Sequence, residues 1–277
     1  MKKIIVPVDF SLYSENALRT AALIAKKQES ELIVVHMLEL SNAVLSQSES
    51  YSQEQFIFYL KLAEKKFKDF LDKPYLDEIS VTTVVKHYKI FTELKEIANE
   101  YEADLIVMGS HGVSGLKELF VGSNTEKVVR SSDVPVLVVK GLPILEDFKN
   151  AVFACDFSKE DIIPYQKAKA LLKVLNCNLE LLYINTPNDS FKSTQEQKEL
   201  FSGFLEGAEG DTDLLSKINS VSDYSVEKGI LEFTKTNKTD LIIMATHGKR
   251  GLAHFVDGSI SEDVANHATL PVLTIKI

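Results

Sequence analysis

The sequence has no tryptophan and only two cysteines in 277 residues. Cys155 and Cys177 lie 22 positions apart, with no C-x-x-C spacing and no matching histidine pair. That pattern supports neither a disulfide framework nor a zinc site, and leaves two reduced, mostly buried thiols in a cytoplasmic protein as the expectation. Long apolar runs are missing too. Nowhere do ~18 consecutive apolar residues occur, so no membrane-spanning helix is expected. The opening run Ile4-Ile5-Val6-Pro7-Val8 stops at Asp9, too short for a secretory leader. Positive charge is in deficit: 31 Lys and Arg against 40 Asp and Glu leave a formal charge of −9. A nucleic-acid partner is not expected, because phosphate neutralisation needs a basic surface. The standard fingerprints G-x-x-x-x-G-K-[ST], G-x-G-x-x-G and G-x-S-x-G are absent as well.

What the sequence does contain is a long internal repeat. Ile4-Ile5-Val6-Pro7-Val8-Asp9-Phe10-Ser11 is echoed by Ala151-Val152-Phe153-Ala154-Cys155-Asp156-Phe157-Ser158, 147 residues on. Ala103-Asp104-Leu105-Ile106-Val107-Met108-Gly109-Ser110-His111-Gly112 is echoed by Thr239-Asp240-Leu241-Ile242-Ile243-Met244-Ala245-Thr246-His247-Gly248, 136 residues on. Val134-Pro135-Val136-Leu137 keeps that second offset to Leu270-Pro271-Val272-Leu273, so the second copy is 11 residues shorter in its middle. Copies this long are domains and not solenoid repeats, which recur every ~20–50 residues. Their expected bounds are 1–140 and 148–277, with the joint near Gly141-Leu142-Pro143.

Short Val- and Ile-rich runs alternate with amphipathic stretches in each copy. Strands are expected at 3–8, 31–37, 80–86, 104–108 and 135–139, and helices at 14–28, 53–72, 91–102 and 123–131. The second copy repeats the strands near 151–155, 179–184, 216–220, 240–244 and 271–276. Apolar strands without alternation are covered on both faces. The fold class is therefore α/β, as two tandem, open, mainly parallel five-stranded sheets with helices on both faces. In such sheets ligands sit beyond the carboxyl ends of the strands. Strand one ends there in Pro7-Val8-Asp9, and strand four runs out into Gly109-Ser110-His111-Gly112, with Gly122-Ser123 further on before a helix. Glycines let backbone approach a ligand, and a helix N-terminus suits phosphate. Ser123 serves equally well as an ordinary helix cap.

The spacing Gly109-x2-Gly112-x9-Gly122-Ser123 resembles the ATP-binding signature G-x2-G-x9-G-[ST] of the universal stress protein family. The Val6-Pro7-Val8-Asp9-Phe10-Ser11 opening, the Asp104-Leu105-Ile106-Val107-Met108 run and the Val134-Pro135-Val136-Leu137-Val138-Val139 ending are similar to that family too. With two copies, the resemblance covers nearly the whole chain. It implies a tandem, Rossmann-like protein of the stress response. It places adenine between Pro7, Val8, Asp9 and Met37, and ribose against Met108 and Gly109. The phosphates fall to Gly112, Gly122, Ser123 and Asn124, with His111 in the same loop. ATP is the implied ligand, with Mg²⁺ allowed as a bridge between phosphates. The resemblance also implies that the two copies pair as an internal pseudo-dimer through residues 135–140 and 271–276, and it leaves room for a further homodimer.

The second copy departs from the pattern. Its matching candidates are Asp156, Ile184, Gly248, Gly258 and Ser259, but Ala245 replaces the first glycine and Ala154 the proline. If position 245 needs a positive φ, alanine there costs roughly 1 kcal/mol. Asp257 adds negative charge to the loop, and Lys249 and Arg250 add positive charge. An ATP-binding regulatory module is the leading reading. The alternatives are a slow ATPase or phosphotransferase, for which only Asp9 and His111 are available, and a nucleotide-free interaction protein.

Overall fold

The computed structural model describes residues 1–38, 49–87, 92–110, 123–142, 144, 146–187, 191–246 and 260–277, with 49–56, 87, 92, 93, 123 and 262 described by their backbone alone. The first half comprises β1 (Lys3–Val8), α1 (Leu12–Gln28), β2 (Glu31–Leu38), α2 (Glu49–Leu71), β3 (Val81–His87), α3 (Thr92–Glu100), β4 (Leu105–Gly109), α4 (Ser123–Ser131) and β5 (Val136–Val139). The second comprises β6 (Asn150–Ala154), α5 (Ile162–Leu175), β7 (Asn178–Asn185), α6 (Thr194–Glu209), β8 (Ile218–Ser222), α7 (Val226–Thr236), β9 (Leu241–Thr246), α8 (Ile260–His267) and β10 (Val272–Lys276). The strands fall within two or three residues of those expected from the apolar runs.

The two expected five-stranded sheets are joined into one of ten strands, ordered β3-β2-β1-β4-β5-β10-β9-β6-β7-β8. Neighbours are parallel except at the middle, where β5 and β10 pair antiparallel, with Val138 opposite Val272, Leu137 opposite Leu273 and Val136 opposite Thr274. Each half alone would leave one of these strands with open backbone groups on its edge, and the pairing satisfies them. The Thr274 hydroxyl, itself buried, donates to the Val136 carbonyl at 3.3 Å. Lys276 Nζ reaches Asp133 Oδ1 at 2.7 Å from across the junction, and the Lys140 amine donates to the Ala265 carbonyl. Burial pulls the Lys140 amine down to about 8.

Side-chain alternation along the strands divides the apolar residues between two faces. One face carries a core continuous through both halves, built from α1, α2, α5 and α6 over Ile4, Val6, Leu137, Phe153, Ile243 and Leu273. The other face carries two separate cores, one under α3 and α4 with Ile5, Ile33 and Met108, and one under α7 and α8 with Val152, Ile184 and Met244.

The connector is fastened to α1. Asn16 Nδ2 donates to the Gly141 carbonyl at 2.8 Å, the Ile144 amide donates to Thr20 Oγ1 at 3.1 Å, and Phe148 is buried in the continuous core. Gln28 Nε2 donates to the Val174 carbonyl of α5 at 2.8 Å. The repeated aspartate before the fourth strand of each half also has a structural task. Asp104 Oδ2 accepts from the amides of Lys2 and Lys3 at 2.5 and 3.1 Å. Asp240 accepts from those of Lys149 and Asn150 at 2.9 and 3.1 Å. Each carboxylate thereby fixes the start of the adjacent first strand.

Candidate functional site

The turn after the first strand has the same construction in both halves. Asp9 Oδ1 accepts from the Ser11 amide at 3.0 Å, and Asp156 Oδ1 accepts from the Ser158 amide at 2.8 Å. The residue between is a phenylalanine in the left-handed region, with φ 64° at Phe10 and 62° at Phe157. That conformation costs a non-glycine residue about 1–2 kcal/mol, and aromatic burial offsets it. The Phe10 ring lies 4.5 Å from His36, 5.2 Å from Phe67 and 5.4 Å from Phe70. Phe157 lies 6.1 Å from Tyr183, 4.6 Å from Phe201 and 5.0 Å from Phe204.

These aromatic clusters belong to the face with the continuous core, and Val8 points its side chain to that face too. The Val8 carbonyl lies 2.8 Å from His36 Nδ1. Burial lowers the His36 pKa, the bond to Val8 working against it, so the ring is neutral at pH 7 with Nδ1 carrying the hydrogen. The opposite face is different. By strand alternation Pro7, Met37 and Met108 share it, at the carboxyl ends of β1, β2 and β4. Pro7 and Met37 are half-buried and Met108 is buried. Together they form an apolar surface, with the half-buried Asp9 just beyond β1.

Gly109 ends β4 against the first turn of α1. A methyl group there would meet the Tyr13 carbonyl oxygen at 2.7 Å. Gly109 is not among the residues with positive φ, and neither is Ala245, which lies inside β9. The φ penalty expected for Ala245 therefore does not arise; the first glycine is needed for close packing. Thr125, unmarked by the sequence reading, donates its buried hydroxyl to the Gly109 carbonyl at 2.9 Å and ties α4 to the end of β4. Its counterpart by the repeat offset, Ser261, is buried likewise. Ser123 opens α4 and Asn124 follows on its exposed surface. His111, Gly112 and Gly122 lie outside the described residues, as do Gly248, Gly258 and Ser259.

In the second half, Ala154, Ile184 and Met244 hold the places of Pro7, Met37 and Met108, and all three are buried. Helix α7 lies close over Ile184, since a methyl group on Gly229 would meet Ile184 Cγ2 at 2.7 Å. Asp161 stands where the first half has Ser14 and is buried beside Asp156. Its pKa is pushed up to about 7, by burial first and then by its hydrogen bond and charge interaction with Asp156. Asp161 therefore holds its proton up to about neutral pH. Cys155, half-buried, and Cys177, buried, are both free thiols. Burial raises both, Cys177 to about 12, so neither is a thiolate at pH 7. Among the described residues no helix is long and apolar enough to cross a membrane, and no cluster of three His, Cys, Asp or Glu could hold a metal ion.

A doubly wound α/β protein with paired halves and an apolar shelf at its strand ends is thus defined by fold and geometry. The profile of the universal stress protein family matches residues 1–140 and again 147–276, and the chain belongs to that family, with two of its domains in tandem. A universal stress protein of Methanocaldococcus jannaschii is 32% identical over 155 residues, covering 50% of this chain and 94% of the relative. One from Bacillus subtilis is 33% identical over 147 residues, covering 50% of this chain and 98% of the relative. The crystal structure of a universal stress protein from Archaeoglobus fulgidus matches 99% of this chain and 98% of its own, with a TM-score of 0.68 at 22% identity, a likeness of fold.

Proposed function

We propose that the first half binds ATP and that the protein is a nucleotide-responsive regulatory module of the stress response, acting in the cytoplasm. The observation that carries this reading is the apolar shelf of Pro7, Met37 and Met108 on one face at the ends of three adjacent strands. A purine needs such a flat apolar surface with a polar group at its rim, and Asp9 supplies the acceptor. From β4 the chain enters the segment that holds His111, Gly112 and Gly122, whose spacing to Ser123 carries the family signature. The phosphates are assigned to Gly112, Gly122, Ser123 and Asn124, where amides precede and open α4. Mg²⁺ would arrive with the phosphates.

The second half is assigned a structural part, with its shelf closed over Ile184 and its aspartate engaged by Asp161. Binding and not turnover is proposed. Asp9 serves the turn, and the described residues offer no second acid or base beside it on the shelf. Nucleotide extracted from freshly purified protein is expected to be ATP at one per chain. Gly122→Val is expected to abolish binding with the fold intact, and unchanged ATP affinity by calorimetry in that variant would overturn the assignment.

A further inference from the structure

The outer surface of α2 carries Phe58, Lys61, Lys65 and Lys68 at spacings of three, four and three, a single stripe along the helix. All four are exposed, and Ile57 and Leu62 beside them are exposed too. The outer surface of α6 repeats the same spacing with Glu196, Glu199, Gly203 and Glu206, again all exposed. One stripe is basic in an acidic protein and the other is acidic. Among the described residues, none of Lys61, Lys65, Lys68, Glu199 and Glu206 takes part in an ion pair.

Gly203 supplies an independent observation. A glycine inside a helix costs about 0.5–1 kcal/mol relative to alanine, and among the described residues nothing lies within 4 Å of the place its Cβ would take. Gly207 one turn on differs, because Ile162 Cδ1 would meet its Cβ at 2.8 Å. Packing among the described residues explains Gly207 and leaves Gly203 without a reason. A second backbone approaching the helix closely gives it one.

The two stripes cannot meet within one chain. Helix α2 packs through Phe67 and Phe70 at the β1–β2 end of the sheet, and α6 packs through Phe201 and Phe204 at the β6–β7 end. Seven strand spacings separate β2 from β7, roughly 34 Å at about 4.8 Å each. We infer that α2 of one copy docks on α6 of a second copy, its lysines facing Glu199 and Glu206 and its apolar residues seated over Gly203. The contact is head-to-tail, so each copy of a pair keeps one unused stripe, α6 in one and α2 in the other, and can take a further partner.

Sedimentation at low salt tests this. The wild-type mass is expected to rise above 31.0 kDa with concentration, and added salt is expected to reverse it, because exposed charges are screened beyond about 8 Å at physiological ionic strength. Lys61→Glu/Lys65→Glu and Glu199→Lys/Glu206→Lys should each remain monomeric alone. Mixed, they should associate in alternation, the intact α2 stripe meeting the intact α6 stripe and the two reversed stripes meeting each other. The chain carrying all four substitutions should associate again. Gly203→Leu should retain or raise thermal stability while losing association, which separates the contact from the fold. A wild-type protein that stays at the monomer mass at low salt overturns the inference, as does a mixture of the two variants that stays monomeric.

Discussion

Gly109 lies so close to Tyr13 that a methyl group on it would stand 2.7 Å from the Tyr13 carbonyl oxygen and 2.8 Å from the carbonyl carbon. The neighbour is backbone held in the first turn of α1 and cannot rotate away. Gly109→Ala is therefore expected to destabilise the ligand-free protein by about 1–3 kcal/mol, the usual cost of overpacking. Ala245→Gly in the second half should change stability by no more than about 1 kcal/mol. Urea titrations without nucleotide check both. Equal, small effects would return the first glycine of the signature to a purely ligand-contacting role.

Asp161 makes the second half sensitive to pH. Its folded-state pKa of about 7 lies above that of an unfolded aspartate, so the native state keeps its proton longer. The stability held below the unfolded value is lost as pH rises from there through about 7. Asp161→Asn should flatten this dependence and stabilise the protein by on the order of 1–3 kcal/mol at alkaline pH, with little effect near pH 4. A stability difference that does not change across that range would show that Asp161 titrates as an ordinary carboxylate.

Leu137 and Leu273 meet at the antiparallel junction, each only 2% exposed. Leu273→Ala should cost about 2–5 kcal/mol, the range for a buried leucine. Residues 1–140 produced alone should dimerise through β5, with the free strand finding its copy, and Leu137→Asp should leave them monomeric. Light scattering on the two fragments decides the matter.

Nucleotide binding should be one-sided. Met37→Asp places a charge on the shelf of the first half and is expected to weaken ATP binding at least about tenfold, or ~1.4 kcal/mol. Asp156→Asn in the second half should leave ATP affinity unchanged. Calorimetry on the full chain reads both, and a stoichiometry of two would show that the closure over Ile184 yields to ligand.

The strands were legible because Val and Ile runs such as Ile4–Val6 and Val136–Val139 have few alternatives to a covered parallel strand. The pairing across the junction came from the family resemblance, and the same runs, otherwise left at open edges, supplied its physical reason. What the sequence concealed depended on partners far along the chain. Asp104 reads as one acid in a motif, and its amide donors lie about a hundred residues earlier, at Lys2 and Lys3. Phe10 and Phe157 carry no sign of a left-handed backbone, because phenylalanine disfavours it until an aromatic cluster compels it. Gly109 looked like a ligand residue because glycine serves close approach to backbone and to ligand alike. Asp161 gave no warning, since only its burial beside Asp156 gives it an unusual proton.

In a dimer of identical chains every substitution is made twice, and a change that suits one subunit is imposed on the other. The antiparallel seam between β5 and β10, with its connector fastened along α1, removes that obligation. Position 161 holds aspartate where the other half holds Ser14, and position 229 holds glycine against Ile184 where the other half holds Glu93. One half keeps the nucleotide signature intact while the other is free to drift, each still supplying the strand its neighbour requires.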